Sequence, residues 1–201
     1  MALHGAGYNS RYYSIKTGSS LMSTLTGAGY AFIAVNLPGV KVNPVPAPAG
    51  DSITLSTSAD ALHRLSLMLR SRCSRQVFLG HSAGAAVAVR AQADYGDAVA
   101  VAVQGFSIAP YDPGVPPDVV SALLASDYAE YPAALRPQFF LTTGAQAAEV
   151  QADVYASDRV PRGLLSDVLG LFRSAARPPT GLQISCAYLL TGYQRSLSLD
   201  S

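Results

Sequence analysis

A serine between two glycines is the feature of this sequence best suited to do chemistry. Residues 77–90 read as a short apolar strand, a tight turn that carries Gly80, Ser82 and Gly84, and a helix of small residues. In so sharp a turn the central residue is strained, and the glycines omit Cβ atoms that would collide. The turn is predicted to hold the Ser82 hydroxyl at a helix N-terminus, where backbone N–H groups favour a developing negative charge. This arrangement suits nucleophilic attack on a carbonyl carbon.

A second motif opens the chain, where a short strand ends in His4, Gly5 and Ala6. Together with the serine turn, it resembles the α/β-hydrolase superfamily, in which such a loop supplies half of an oxyanion hole. The resemblance continues through residues 30–40, which are similar to the family's next strand and its Pro-Gly loop. We call the serine turn of residues 80–84 the elbow. Residues 95–107 are similar to the family's strand that comes after the helix following this elbow.

The resemblance implies roles for individual residues. It implies a serine hydrolase of the GxSxG branch acting on a carboxylic ester or lactone, with Ser82 as the nucleophile. The backbone N–H groups of Ala6 and Ala83 would hold the oxyanion. His81 adjoins the nucleophile within the elbow, but neighbouring side chains point apart there, so we expect it not to accept the Ser82 proton. The expected partner is a small ester-like molecule.

The triad that the resemblance implies is incomplete. The family order is Ser, then Asp or Glu, then His, and none of the three histidines follows Ser82. Arg195 stands where the acid is expected, which leaves Asp112 and Asp200 as weak candidates for the acid and His4 for the base. Both ends look trimmed relative to the family, which favours a partial sequence over a degenerate homologue. Without a base, about 10³ to 10⁴-fold catalysis over water would remain, so we expect almost no turnover.

Strands alternating with helices predict an α/β fold with a mostly parallel sheet of about five strands, flanked by helices. We expect one domain in three parts: a hydrolase core over residues 1–107, an inserted helical cap over 108–182, and a returning strand and tail over 183–201. Four aromatic residues of the predicted cap would either line an apolar pocket or fasten the cap to the core, namely Tyr128, Tyr131, Phe139 and Phe140.

The composition excludes several other classes of protein. Of 201 residues, 49% are apolar and 13% are charged, as in a globular domain with a substantial core. The net charge of +1 without a basic stripe argues against nucleic acid as a partner. No run is long enough to span a membrane and no signal peptide is visible, which slightly favours the cytoplasm while leaving location and oligomeric state open. Two cysteines outside any CxxC pattern predict no metal site, and no cofactor is expected.

Two alternatives remain open at this stage. A hydrolase-like fold without catalysis, acting as a small-molecule binder or surviving as a remnant, would explain an elbow that lacks both base and acid. A nucleotide-binding α/β domain is suggested by Gly5 and Gly7 after a strand, but the third glycine and the acidic residue of that motif are missing. His63 is predicted to be a structural histidine on or between helices.

Overall fold

The main sheet consists of four short parallel strands. The computed structural model describes residues 1–15, 20–42, 49–107, 115–134, 136–141 and 145–173. Within these ranges the sheet contains β1 (Ala2–Leu3), β2 (Ala34–Val35), β3 (Val77–His81) and β4 (Ala100–Gln104), in the order β2-β1-β3-β4. The predicted α/β class and mostly parallel sheet are confirmed. A fifth strand, expected between residues 183 and 201, falls outside the described residues.

Seven helices and a small ribbon accompany this sheet in the described part of the chain. The helices are α1 (Leu21–Gly27), α2 (Leu55–Leu69), α3 (Ala83–Tyr95), α4 (Pro117–Leu123), α5 (Arg136–Phe140), α6 (Ala147–Ala156) and α7 (Arg162–Arg173). Short 3-10 helices span Ser10–Ser14 and Gly50–Ser52. A separate antiparallel ribbon pairs β5 (Tyr128–Ala129) with β6 (Val160–Pro161).

Helix α3 is the centre of the core. It follows β3 directly and packs against β3, β4 and β1, and it also packs against α2. The residues that face inward are small, and Val87, Ala88 and Ala91 are fully buried. Small side chains let the helix axis approach the sheet closely, so the start of α3 is held firmly above the ends of the strands. This packing fixes the position of the residue between β3 and α3.

The residues that follow β4 are mainly helical, and we call residues 115–173 the helical segment. Its last helix, α7, joins the main core, because Leu164 and Val168 belong to the same buried cluster as Leu62 of α2 and Val87 of α3. The predicted boundaries at residues 108 and 182 lie outside the described residues. The role of this segment as a lid stays a prediction.

Candidate active site

The backbone at Ser82 has the strained geometry that the motif predicts. Ser82 has φ +51° and ψ −118°, and it is the one non-glycine residue with positive φ in the described part of the chain. Such a conformation costs about 1–3 kcal/mol and persists only where surrounding bonds enforce it. The Ser82 N–H donates to the Gln104 carbonyl of β4 over 2.8 Å, and its carbonyl accepts from the N–H of Ala85 over 2.9 Å. The residue is therefore fixed between β4 and the first turn of α3.

The two glycines of the elbow stand where no side chain fits. A Cβ atom on Gly80 would lie 2.4 Å from the Cα of Ala85, and one on Gly84 would lie 2.2 Å from the carbonyl oxygen of Leu3. Real Cβ atoms do not approach backbone this closely. The elbow therefore requires glycine at both positions, which is the physical reason for the spacing seen in the sequence.

A tight turn formed by residues 5–8 faces the elbow. The Tyr8 N–H donates to the Gly5 carbonyl over 3.3 Å, and Gly7 has φ +77°, the value for the third residue of a type II turn. The hydrogen bond of such a turn does not use the N–H of its second residue, Ala6. A Cβ atom on Gly5 would lie 3.2 Å from the Cβ of Ser82, so the 5–8 turn touches the elbow.

Ala83 brings a second backbone donor to the same place. It is the first residue of α3 and is fully buried. The first N–H groups of an α-helix have no partner within the helix, and they carry the positive end of its dipole. The structure thus brings together the sequence-predicted residues Ser82, Ala6 and Ala83 at the junction of β1, β3 and α3.

The side chain of His4 links the end of β1 to the residues that follow β2 through two hydrogen bonds to backbone. Its Nδ1 donates to the Gly5 carbonyl over 2.9 Å, and its Nε2 accepts from the Leu37 N–H over 3.1 Å. This pattern requires a neutral ring, and burial lowers the pKa of His4 from 6.5 to about 4. Both ring nitrogens are therefore occupied by backbone, and His4 holds the 5–8 turn to the end of β2.

The burial of His4 predicts a pH-dependent stability. Between pH 6.5 and about 4 the unfolded chain binds a proton at His4 that the folded chain does not, so stability falls as the pH falls. We expect His4 to account for a loss of about 2 kcal/mol in the free energy of unfolding between pH 7 and pH 5. Urea unfolding of the wild-type chain and of His4→Gln at both pH values measures it. An equal pH dependence in the two proteins would contradict the assignment.

His81 lies beside the elbow, whereas His63 lies far from it. The His81 ring stacks on Tyr12 at 4.9 Å between centroids, its Nδ1 has no hydrogen-bond partner among the described residues, and burial lowers its pKa to about 4. His63 bonds Asp97 over 2.7 Å and stacks on Tyr95, the last residue of α3. A helix of this length places Tyr95 about 20 Å from Ser82.

A buried ion pair supports the 5–8 turn from the helical segment. The Arg136 Nε donates to Asp153 over 2.6 Å and its Nη2 over 3.1 Å, while its Nη1 donates to the Gly7 carbonyl over 3.1 Å. The Tyr8 hydroxyl donates to the same carboxylate over 2.5 Å, and burial together with this bond raises the pKa of Tyr8 well above its usual value. Arg136, Asp153 and Tyr8 are all at most 4% exposed.

The end of α6 adds backbone contacts to the same turn. The Asp158 N–H donates to the Gly7 carbonyl over 3.0 Å, and the Asn9 N–H donates to the Ala156 carbonyl over 3.0 Å. The Asp158 carboxylate accepts from the side chain of Asn9 and from the Lys41 N–H. No sequence pattern indicates these long-range contacts, since Arg136, Asp153 and Asp158 belong to no local motif.

The aromatic residues of the helical segment have different surroundings. Tyr131 and Phe140 pack edge to face at 5.0 Å, close to Gly7 and Tyr8. Tyr128 lies beneath the Arg159 guanidinium at 3.9 Å. The side chain of Phe139 lies outside the described residues, as do Asp112, Asp200 and Arg195.

The fold and the strained serine elbow define the class of this protein. Residues 2–198 match the model of the alpha/beta hydrolase family, so nearly the whole chain is covered. The chain belongs to the alpha/beta hydrolase family. No curated protein sequence matches it significantly.

Solved structures with the same fold include three hydrolases of low sequence identity. An N-acyl homoserine lactonase complexed with N-butanoyl homoserine has a TM-score of 0.57 and 14% identity, covering 87% of this chain and 62% of its own. A methylesterase from Arabidopsis has a TM-score of 0.60 and 14% identity, covering 84% and 69%. An extracellular alpha/beta-hydrolase from a Paenibacillus species has a TM-score of 0.60 and 15% identity, covering 91% and 73%. The chain thus spans 62% of the lactonase, less than two thirds of its length.

Two features of other protein classes are missing from the described residues. None of the helices there combines the length and apolar character that a membrane crossing needs. Nor do those residues bring three or more His, Cys, Asp or Glu side chains together in a way that could hold a metal ion.

Proposed function

We propose that this chain carries the nucleophile and oxyanion hole of a serine hydrolase that acts on carboxylic esters, lactones included. The observation that carries the proposal is the φ of +51° at Ser82, a strain maintained at the N-terminus of a buried helix. Strain of this kind clusters at functional sites, and a structural turn would relax it with a glycine at that position. The lactonase and the methylesterase of the same fold support the ester and lactone substrate class.

The proposed reaction begins with attack of the Ser82 hydroxyl oxygen on the carbonyl carbon. A bond forms between these atoms, the carbonyl π electrons move to oxygen, and the hydroxyl proton leaves to a base. The N–H groups of Ala6 and Ala83 stabilise the resulting oxyanion, a contribution worth about 3–4 kcal/mol per donor in a serine protease. The start of α3 adds the positive end of its dipole.

The proton acceptor is the missing part of this mechanism. His4 has both nitrogens bonded to backbone, His63 lies at the far end of α3, and His81 is stacked and buried. No histidine follows Ser82 in the sequence. We therefore propose that the residues of this chain position the nucleophile but do not activate it.

Covalent labelling tests the nucleophile directly. We expect slow labelling of the wild-type chain by a fluorophosphonate, accelerated by added imidazole, because imidazole supplies the absent base from solution. Ser82→Ala should abolish the labelling, whereas Ser74→Ala, at an exposed serine outside the elbow, should leave it unchanged. Intact-protein mass spectrometry measures the extent, and hydrolysis of p-nitrophenyl butyrate should stay about 10⁶-fold below that of a complete triad.

A non-catalytic small-molecule binder is the second candidate function. The bonded ring of His4, the remote position of His63 and the buried, stacked ring of His81 favour it. Absence of labelling at Ser82 even with imidazole would reject the hydrolase and leave this binder. Labelling that persists in Ser82→Ala would show that the reactive group lies elsewhere.

A further inference from the structure

Two peptide groups of the 5–8 turn are joined in series by a hydrogen bond. One peptide carries the Gly5 carbonyl and the Ala6 N–H, and the other carries the Gly7 carbonyl and the Tyr8 N–H. The Tyr8 N–H donates to the Gly5 carbonyl over 3.3 Å. In the described part of the chain all peptide bonds are trans, so the carbonyl and the N–H of each peptide point in opposite directions. The Gly7 carbonyl therefore stands at one end of the series and the Ala6 N–H at the other.

A buried cation binds the first end of this series. The Arg136 Nη1 donates to the Gly7 carbonyl over 3.1 Å, and the Asp158 N–H donates to the same oxygen over 3.0 Å. Two further bonds, from Nε and Nη2 to the Asp153 carboxylate, fix the plane of the guanidinium. The guanidinium carbon also lies 4.8 Å from the centre of the Tyr8 ring. Because Arg136 is only 2% exposed, water does not compete for its N–H groups.

The other end of the series is the proposed oxyanion donor. The Gly5 carbonyl accepts from the Tyr8 N–H and, over 2.9 Å, from the His4 Nδ1. Since the carbonyl is held on that side, the peptide presents the Ala6 N–H on the opposite side. Gly5 also lies against the elbow, because a Cβ atom built on it would be 3.2 Å from the Cβ of Ser82. Hydrogen bonds in series polarise one another in a medium of low dielectric constant, by about 10–30% per bond.

We propose that Arg136 is a positioning residue for the oxyanion hole and that it acts through this series of bonds from Arg136 to Ala6, which we call the peptide relay. The guanidinium charge polarises the first peptide, and the bond between the two peptides fixes and polarises the second. The Ala6 N–H is thereby held in one orientation, with more positive charge than the N–H of an isolated amide. This proposal rests on the proposed function, because the relay affects catalysis only if an oxyanion forms at Ser82.

Arginine suits the start of the relay because its N–H groups diverge in one plane. Nε and Nη2 satisfy the Asp153 carboxylate, while Nη1 remains available to the Gly7 carbonyl. The single nitrogen of a lysine lacks this fork. Arg136 begins α5 and is 129 positions from Gly7 in the sequence, so the helical segment contributes to the oxyanion hole from a distant part of the chain.

The first test compares rates of fluorophosphonate labelling at Ser82 in the presence of imidazole. Arg136→Met combined with Asp153→Leu removes the cation and its counter-ion together, which avoids a lone buried charge. We expect the rate to fall at least about fivefold, because the donor beside Ser82 loses orientation and polarisation. The matched control removes an exposed pair, with Arg90→Met and Asp94→Leu, and should be labelled at the wild-type rate. An unchanged rate in the Arg136 double variant would overturn the proposal.

NMR spectroscopy shows whether the effect passes through the relay. Glycine labelled with 13C at its carbonyl, together with 15N-labelled alanine, selects Gly–Ala peptides, of which the sequence has four. In the double variant the Gly5–Ala6 signal, assigned by its loss in Ala6→Ser, should move upfield in carbon and nitrogen because its carbonyl accepts a weaker bond. The Gly27–Ala28 signal, at the end of α1, is the internal control and should stay in place. Slower labelling with an unmoved Gly5–Ala6 signal would show a merely structural role for Arg136 and overturn the proposal.

A measurement on the wild-type chain decides the matter if the double variant does not fold. The same glycine label with 15N-labelled tyrosine selects Gly–Tyr peptides, and the Tyr8 N–H should exchange with deuterium at least about tenfold more slowly than in an unstructured peptide. Exchange at the unprotected rate would overturn the relay. The two proposals fail separately: the expected NMR shifts without labelling would reject the nucleophile alone, and labelling without those shifts would reject the relay alone.

Discussion

Replacing Arg136 with methionine is expected to destabilise the fold by about 3–5 kcal/mol. The substitution leaves the Asp153 carboxylate 3% exposed without its cation, and the Tyr8 hydroxyl alone does not compensate a buried charge. Asp153→Asn should cost a similar amount, because it leaves the Arg136 guanidinium buried with a neutral partner. Urea unfolding followed by circular dichroism at pH 7 measures both losses.

A double variant and an exposed ion pair provide the controls. Arg136→Met combined with Asp153→Leu removes both charges and should cost less than either single change, as for other buried pairs. Arg90 and Asp94 form an exposed pair at 2.6 Å, so Arg90→Met should cost at most about 1 kcal/mol. If Arg136→Met costs no more than Arg90→Met, the buried pair is not a determinant of stability.

The ion pair of Arg136 and Asp153 matters for the candidate site because Arg136 also bonds the 5–8 turn. The Gly7 carbonyl accepts from both the Arg136 side chain and the Asp158 N–H. A peptide unit held by two donors is fixed in orientation, and the rest of the 5–8 turn follows it. The helical segment is therefore part of the framework of the site, since it sets the turn that carries the Ala6 N–H. A lid that moved as a rigid body would have to break these bonds.

The elbow was predictable because its signals are local. Glycine at positions 80 and 84 and serine between them lie within five residues, and the apolar strand and alanine-rich helix flank them directly. The strands of the parallel sheet were likewise visible as short apolar runs. Each of these features depends on residues that are close together in the sequence, so it can be recognised from one sequence alone.

The support of the 5–8 turn was not predictable, because its partners are far apart in sequence. Arg136 contacts Gly7 across 129 positions, and Tyr8 contacts Asp153 across 145. Nothing nearby distinguishes Arg136 from the other basic residues of the chain. The strands β5 and β6 contain two residues each, too few for an alternating pattern to indicate them.

His4 shows that the role of a residue depends on contacts that its local motif does not contain. Its place beside Gly5 indicated a loop near the elbow, which suggested a weak candidate for a base. Its bond to the Leu37 N–H, 33 positions away, instead fixes it as a neutral acceptor. The bond to Leu37 cannot be predicted from the local motif. Once both partners of the ring are known, they determine which ring nitrogen carries the proton.

Gly84→Ala is expected to disrupt the elbow more severely than any other single methyl group added to it. The new Cβ would lie 2.2 Å from the Leu3 oxygen and 2.5 Å from the His4 oxygen, both backbone atoms of the strand end that carries the 5–8 turn. Backbone cannot rotate away as a side chain can, so α3 and β1 must separate. We expect a loss of at least about 3 kcal/mol in the free energy of unfolding, at the upper end for overpacked cores. Any folded fraction should also lose fluorophosphonate labelling, because separation moves the Ala6 N–H away from Ser82.

A change from glycine to alanine in α7 is expected to raise the stability of the protein instead of lowering it. A Cβ atom on Gly170, within α7, has no neighbour within 4 Å, so Gly170→Ala should stabilise the protein by about 0.5–1 kcal/mol through helix propensity. Urea unfolding of the two variants therefore distinguishes two effects of replacing glycine on stability: steric collision of the new methyl group, and reduced backbone freedom. A Gly84→Ala chain with wild-type stability and labelling would mean that α3 and β1 do not meet as described, and the proposed oxyanion hole would lose its structural basis.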